Sequence, residues 1–117
     1  MPGVSLSLLV LKTRQLDELR KFYSLIGIQF GEEQHGTGPV HFAGEVASTV
    51  LELYPLADDA RPDSSTRLGF SVSNLDHVLK ELTENDFCSH PKTRRTEWGY
   101  HAVVKDPDGR SVELCQR

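Results

Sequence analysis

The two halves of this chain repeat one another at a nearly constant spacing. Three pieces of the first half recur in the second half, 59, 60 and 61 positions later in that order. The matching pieces are Leu16-Asp17 with Leu75-Asp76, His41 with His101, and Leu51-Glu52-Leu53 with Val112-Glu113-Leu114. A slow drift of this kind is typical of a duplicated unit with small insertions in its loops. Each half is therefore predicted to fold as one copy of the same unit.

Both halves show the same order of elements, which is a strand, a helix and then further strands. In the first half, apolar residues recur at helical spacing from Leu16 to Ile26, and Gly27 follows where a C-terminal cap belongs. In the second half, the predicted helix begins at Leu75 and ends near Asn85. The predicted strands are 4–12, 28–30, 40–43 and 49–56 in the first half, and 67–72, 100–104 and 110–115 in the second, with an edge strand within 89–98.

A polar stretch, residues 57–66, separates the two halves and is predicted to be a linker between two modules. Module 1 then spans about residues 4–56, and module 2 spans about residues 67–117. The whole chain of 117 residues has the length of one compact domain. We therefore expect residues 1–117 to form a single domain from both modules.

The charge and hydropathy of the chain argue against two classes of partner. Thirteen Lys and Arg residues against seventeen Asp and Glu residues leave a net charge of -4, whereas a nucleic-acid binder normally needs a concentrated basic face. The longest apolar run, residues 8–11, is far too short to span a membrane, and no secretory signal opens the chain. Cys88 and Cys115 form no CxxC motif, which favours free thiols and a cytoplasmic location.

Two motifs resemble the vicinal-oxygen-chelate superfamily, which contains glyoxalase I, extradiol dioxygenases, fosfomycin-resistance enzymes and bleomycin-resistance proteins. One is Lys21-Phe22-Tyr23 followed by Leu25-Ile26-Gly27, and the more specific one is the ending from Lys105-Asp106-Pro107-Asp108-Gly109-Arg110 to Leu114. The resemblance covers almost the whole chain. It implies an α+β fold in which two βαβββ modules form a half-open barrel around a cavity, usually completed in a homodimer.

Metal-dependent members of that superfamily bind the ion through one residue on the first and one on the last strand of each module. On this chain the corresponding positions are Leu8, Glu52, Arg67 and Glu113. Both carboxylates are present, but leucine and arginine stand where the other members usually have histidines. The resemblance therefore implies that the standard metal site is missing, and we expect the protein to need no cofactor.

The two glutamates alternate with apolar residues in both repeats. Glu52 lies between Leu51 and Leu53, and Glu113 has the same kind of apolar neighbours. Because successive strand residues point to opposite faces, each glutamate points away from its apolar neighbours. If those neighbours pack on the helices, both carboxylates face the cavity. The alternative is that each lies on a solvated sheet face.

A divalent ion could still bind through a different set of residues, namely Glu52, Glu113, His41 and His101. Two imidazoles and two carboxylates suit zinc, nickel, iron or manganese. A three-residue turn that ends at Gly109 would place Val103 opposite Glu113 and His101 on the same face. The side of the strand on which His41 lies is left open.

Arg67 has three alternative interpretations. It forms an internal ion pair with Glu52 or Glu113, because buried carboxylates need a cationic partner. Alternatively, its guanidinium binds a carboxylate or phosphate of a ligand, or the strand register differs and Arg67 is exposed. The Lys and Arg residues within 92–95 are interpreted as a solvated loop, with an anion-binding lid as the alternative.

Two functional hypotheses are consistent with these residues. In the favoured one, the protein binds a small, anionic organic ligand without a metal, and the ligand-binding residues are Arg67, Glu52, Glu113, Tyr54 and Trp98. In the alternative, the protein is a metal-dependent lyase or dioxygenase resembling glyoxalase I, and Glu113 is the catalytic residue that moves a proton. The first is favoured because Leu8 cannot coordinate a metal. Whether the chain is an enzyme stays open.

Overall fold

The computed structural model describes residues 3–117, and it contains the order of elements expected from the repeat. The first half consists of β1 (Leu8–Thr13), α1 (Leu16–Ile26), β2 (Phe30–Glu33), β3 (His41–Val46) and β4 (Thr49–Pro55). The second half consists of β5 (Leu68–Ser71), α2 (Leu75–Glu84), β6 (Thr93–Thr96), β7 (Gly99–Lys105) and β8 (Ser111–Gln116).

Each half forms its own four-stranded sheet, and the two sheets have the same strand order. The first sheet has the order β1-β4-β3-β2, and the second has the order β5-β8-β7-β6. In both, the first strand of the module runs parallel to the last one, and the other neighbours are antiparallel. The predicted α+β fold of two βαβββ modules is confirmed.

Most strands begin or end one to four residues away from their predicted bounds; β2, for example, is Phe30–Glu33 and not 28–30, and β3 is His41–Val46 and not 40–43. β1 begins at Leu8 rather than at residue 4, and its pairing with β4 starts there, opposite Val50. β5 begins at Leu68, so Arg67 lies just before the strand instead of within it. Residues 56–67, where the linker was expected, contain neither helix nor strand.

The two helices cover one face of the sheets and form the core with it. Burial follows helical spacing in both helices, and their buried residues are Leu19, Phe22, Tyr23 and Ile26 in α1 and Leu75, Val78, Leu79 and Leu82 in α2. Alternate residues of β4 and β8 complete this core, namely Leu51, Leu53, Val112 and Leu114. Neither helix of the described chain is long and apolar enough to cross a membrane.

The other face of each sheet, here called the open face, carries Glu52 in the first sheet and Glu113 in the second. The molecule is correspondingly flat, with extents of 47 × 42 × 24 Å. Leu8 and Val10 on β1 lie on the first open face, and Val103 on β7 lies on the second. These three apolar side chains are 49%, 37% and 50% exposed. Apolar residues gathered on an uncovered sheet face are typical of an interaction surface.

The Asp106–Arg110 motif contains a buried ion pair, and both of its members also form hydrogen bonds to the first module. Arg110 Nη1 donates to carboxylate oxygens of Asp106 and Asp108, both at 3.1 Å, and Nη2 donates to the Lys12 carbonyl in β1 at 2.9 Å. The Tyr23 hydroxyl in α1 donates to Asp106 at 2.8 Å. Burial, together with the charge and hydrogen bond of Asp106, raises the pKa of Tyr23, so the hydroxyl keeps its proton. The most specific motif of the sequence therefore has a structural role.

Candidate functional site

The open face of the first sheet brings Glu52 and His41 together. Glu52 lies opposite Ala43 across β4 and β3. His41, two residues before Ala43, therefore points to the same face. The distance between His41 Nε2 and Glu52 Oε2 is 3.7 Å. The structure therefore places His41 on the open face, a question that the sequence alone had left open.

The open face of the second sheet repeats this arrangement. Val103 lies opposite Glu113, as expected for a turn that ends at Gly109, whose φ is 90°. His101 Nδ1 is 3.8 Å from Glu113 Oε1, and its Nε2 is 2.9 Å from the Thr96 hydroxyl in β6. Each module therefore presents one histidine–glutamate pair at the equivalent place.

The residues at the four standard metal positions do not fit an ion. Leu8 is an exposed apolar side chain, and Arg67 is an exposed cation. The alternative set is divided between the two sheets, with Glu52 and His41 on the first and Glu113 and His101 on the second. Within residues 3–117, the group of three metal-ligating side chains that lies close together is a different one, formed by Glu33, His35 and His41.

Arg67 is exposed and pairs with neither glutamate. Among the ion pairs of the described residues, none joins Arg67 to Glu52 or to Glu113. Arg67 directly precedes β5 and lies one residue before the pairing with β8 begins. Arg67 therefore forms no internal ion pair with these two glutamates. Of the three interpretations considered from the sequence, the exposed side chain is the one that the structure shows.

Tyr54 lies beside His41 on the first open face. The two rings are stacked, with their centroids 4.0 Å apart and an interplanar angle of 11°. The Tyr54 hydroxyl is 3.2 Å from His41 Nε2. Partial burial and the negative charges of Glu52 and Glu33 raise the pKa of Tyr54, so its hydroxyl remains a proton donor in neutral solution.

A cavity of about 410 Å³ lies on the second open face, beside Glu113. Glycine and small polar residues of β5 and β8 form its floor, and Trp98 supplies aromatic surface. The side chain of Trp98 is 70% exposed. His101 and Thr96, which contact one another, line the same cavity.

Arg94 is the cation that β6 contributes to this cavity. It lies opposite His101 in the strand pair and therefore on the open face. The next residue, Arg95, points to the other face, where its guanidinium lies 4.4 Å from the centre of the Tyr100 ring. The two arginines of one strand thus have different surroundings. Residues 93–96 form the edge strand expected within 89–98, so the two arginines lie on a strand and not in the solvated loop considered for the basic cluster.

A comparison with protein families decides to which one this fold belongs. The model of the Glyoxalase/Bleomycin resistance protein/Dioxygenase superfamily matches residues 5–114. The chain belongs to this superfamily. The resemblance inferred from the two motifs is thereby confirmed over nearly the whole sequence.

Solved structures of this superfamily fold include proteins with different described roles. TnmS3, an antibiotic binding protein from Streptomyces sp. CB03234, is 23% identical, with a TM-score of 0.72 over 99% of this chain and 98% of that chain. The oxidase ChaP-H2 is 16% identical, with a TM-score of 0.76 over 99% and 95%. A lactoylglutathione lyase from Agrobacterium tumefaciens is 17% identical, with a TM-score of 0.68 over 99% and 96%. These likenesses show the fold alone. No curated protein sequence matches the chain.

The sequence analysis did not single out Glu33 or His35, and it did not identify Arg94 as a residue of the cavity. Glu33 and His35 stand on either side of Gln34, shortly before His41, and this spacing was the available signal. Arg94 carried a weaker signal, because only the register of β6 against β7 shows which arginine of that strand faces the cavity. Trp98 and Glu113 line one cavity.

Proposed function

We propose that this superfamily member is a homodimeric, small-molecule binding protein that takes an anionic organic ligand on its second open face without the standard metal site. The observation that carries the proposal is the 410 Å³ cavity, which Arg94 and Trp98 line together. A cavity of this size, lined by one aromatic side chain and several polar and charged ones, suits a small polar organic molecule. An arginine fork binds carboxylates and phosphates through two parallel hydrogen bonds.

Charge supports the choice of an anion for the second open face. Arg94 and Lys105 lie on this face beside a single glutamate, Glu113. An adjoining cavity of about 780 Å³ on the other side of Glu113 is lined by Lys92, Arg94 and Lys105. In this proposal Glu113 orients polar groups of the ligand, as His101 beside it also does. TnmS3, whose fold the chain shares, is described as an antibiotic binding protein.

The homodimer is proposed because the two open faces of the chain are complementary in charge. The first open face carries three glutamates and one lysine, namely Glu33, Glu45, Glu52 and Lys12, whereas the second one is basic. Exposed apolar residues lie on both. A two-fold dimer that places the first face of one copy on the second face of the other buries both. Glu52 and Tyr54 would then approach the ligand from the opposite wall.

Substitution of Arg94 with glutamine tests the ligand site. Trp98 is the single tryptophan of the chain, so its fluorescence reports binding in this cavity directly. We expect 2-naphthoate to bind at least about tenfold more tightly than the uncharged 2-naphthamide, because a hydrogen bond to a charged group contributes about 1.5–3 kcal/mol. In Arg94→Gln this preference should disappear, with the amide affinity unchanged.

Arg95→Gln is the matched control for that experiment, since it removes the same charge from the same strand on the other face. It should leave both affinities as in the wild type. Arg67→Leu should weaken naphthoate binding by a factor of only about two to five, because an exposed charge contributes about 0.2–1 kcal/mol. If the acid and the amide bind equally well to the wild type, the anionic ligand is refuted.

A second candidate function, a metal-dependent lyase or dioxygenase, is favoured by one observation. The histidine–glutamate distances of 3.7 Å and 3.8 Å are nearly equal in the two modules. If the open faces meet across a dimer, His41, Glu52, His101 and Glu113 could hold one ion, which would polarise oxygens of a substrate, with Glu113 moving a proton. This candidate requires that the ligand binds only when a metal is present.

A cytoplasmic location, based on Cys88 and Cys115, is part of both proposals.

A further inference from the structure

One edge of the first open face holds a cluster that the proposed ligand site does not use. Glu33, at the end of β2, lies directly opposite His41, at the start of β3. The tight turn between the strands, closed by a hydrogen bond from the Gly38 amide to the His35 carbonyl, brings His35 back over His41. The centroids of the two imidazole rings are 5.1 Å apart.

The distances in this cluster match a tetrahedral metal site. Glu33 Oε1 lies 3.2 Å from His41 Nε2 and 3.6 Å from His35 Nε2. One ligand atom from each of the three residues falls within 4.8 Å of the others. Zinc bonds of about 2.0–2.2 Å at tetrahedral angles hold neighbouring ligand atoms roughly 3.3–3.5 Å apart. The two distances from Glu33 therefore fit one ion, and the ligand nitrogens of His35 and His41, within 4.8 Å of one another, need to approach by no more than about 1.3 Å.

His41 supplies an independent indication that a cation belongs here. The ring is only 1% exposed, and it has an acceptor oxygen at each nitrogen. The Pro39 carbonyl is 3.2 Å from Nδ1, and the Glu33 carboxylate is 3.2 Å from Nε2. A neutral imidazole carries one proton and cannot donate to both oxygens. The conflict is removed by a second proton on the ring or by a metal ion between Nε2 and the carboxylate.

The surroundings of His41 favour the metal ion. A histidine that binds a metal usually donates its other ring N–H to a backbone carbonyl, which fixes the orientation of the ring. Here the Pro39 carbonyl accepts that bond, and the stacked Tyr54 ring holds the imidazole plane. Glu52, with Oε2 at 3.7 Å from Nε2, adds a second negative charge.

We propose that Glu33, His35 and His41 bind one divalent transition-metal ion, with zinc the expected ion, at a place separate from the standard metal positions of the superfamily. Two imidazoles and one carboxylate are ligands typical of zinc sites that keep an open coordination position. His35 and Glu33 have exposed side chains, 74% and 44%, so the ion is accessible from solvent. This inference goes beyond the proposed ligand site and does not depend on it.

Zinc titration of the chelator-treated, tag-free full chain tests the proposal. We expect one equivalent of Zn²⁺ to bind with a Kd of about 10 μM or tighter, and Co²⁺ to give the visible absorption of a four-coordinate site. His35→Gln should weaken binding at least about tenfold, since even an outer partner of a ligand contributes about 10–100-fold. The His35 side chain is exposed, so this variant keeps the fold.

Two further variants distinguish this site from zinc binding elsewhere on the chain. His77→Gln removes an exposed histidine from α2 and should bind zinc as the wild type does. His101→Gln should also bind normally, whereas selective loss in this variant would overturn the proposal in favour of the set that includes Glu113. Absence of zinc binding to the wild type, or unchanged binding in His35→Gln, would likewise overturn it.

Discussion

Replacement of Arg110 with leucine is expected to lower the free energy of unfolding by about 3–5 kcal/mol. The guanidinium is 1% exposed, and its main partner, the Asp106 carboxylate, is fully buried. Without the arginine, that carboxylate loses its cationic partner and stays in surroundings of low polarity. The Lys12 carbonyl in β1 and a carboxylate oxygen of Asp108 also lose a donor. The variant thus weakens the contact between modules.

Urea unfolding followed by circular dichroism measures this effect. For a domain of this size, the thermal midpoint should fall by roughly 10–20 °C. Arg95→Leu, which removes an exposed arginine, should change the stability by less than about 1 kcal/mol. Adding Asp106→Asn to Arg110→Leu should recover part of the loss, because it neutralises the buried charge. A single variant as stable as the wild type would show that the ion pair does not hold the modules together.

Replacement of Val10 with aspartate is expected to convert a wild-type dimer into a monomer. Val10 lies next to Glu52 on the first open face, and the proposed dimer buries it against the second open face. An unpaired carboxylate in an apolar interface costs several kcal/mol. The dimer dissociation constant should therefore rise about 100-fold or more. Val103→Asp, on the other face of the same contact, should act in the same way.

Sedimentation velocity at micromolar concentration distinguishes the two states. The wild type should sediment with twice the chain mass of 13.1 kDa. Val40→Asp is the matched control, because Val40 has nearly the same exposure as Val10, 39% against 37%, but lies before β3 and outside the proposed contact. A monomeric wild type, or a Val10→Asp variant that stays dimeric, would refute the placement of the interface.

The fold could be predicted because its signal is local and occurs twice. Helical spacing at Leu16 to Ile26 and strict alternation around Glu52 and Glu113 repeat in both halves, so each supports the other. The buried role of Arg110 could not be predicted in the same way. Its contact with the Lys12 carbonyl joins residues 98 positions apart, and no local pattern encodes such a contact.

The site was only partly predictable, because the turns decide which side chains meet. The turn at Gly109 has a typical sequence, so the register of His101 against Glu113 followed from it. The connections on both sides of β3 have no such signature. The position of His41 and its contact with His35 across the β2–β3 turn therefore required the structure. Arg67 was assigned to β5 by its spacing in the repeat, but pairing begins one residue later.

Calorimetric titration of the chelator-treated wild-type protein with 2-naphthoate and 2-naphthamide tests the proposed function most directly. We predict that the carboxylate binds at least about tenfold more tightly than the amide, and that added zinc, nickel, iron or manganese leaves this difference unchanged. That result would show that the protein recognises the anion without a metal. Equal affinities, or carboxylate binding that appears only after a metal is added, would contradict metal-independent anion binding and favour the metal-dependent lyase or dioxygenase.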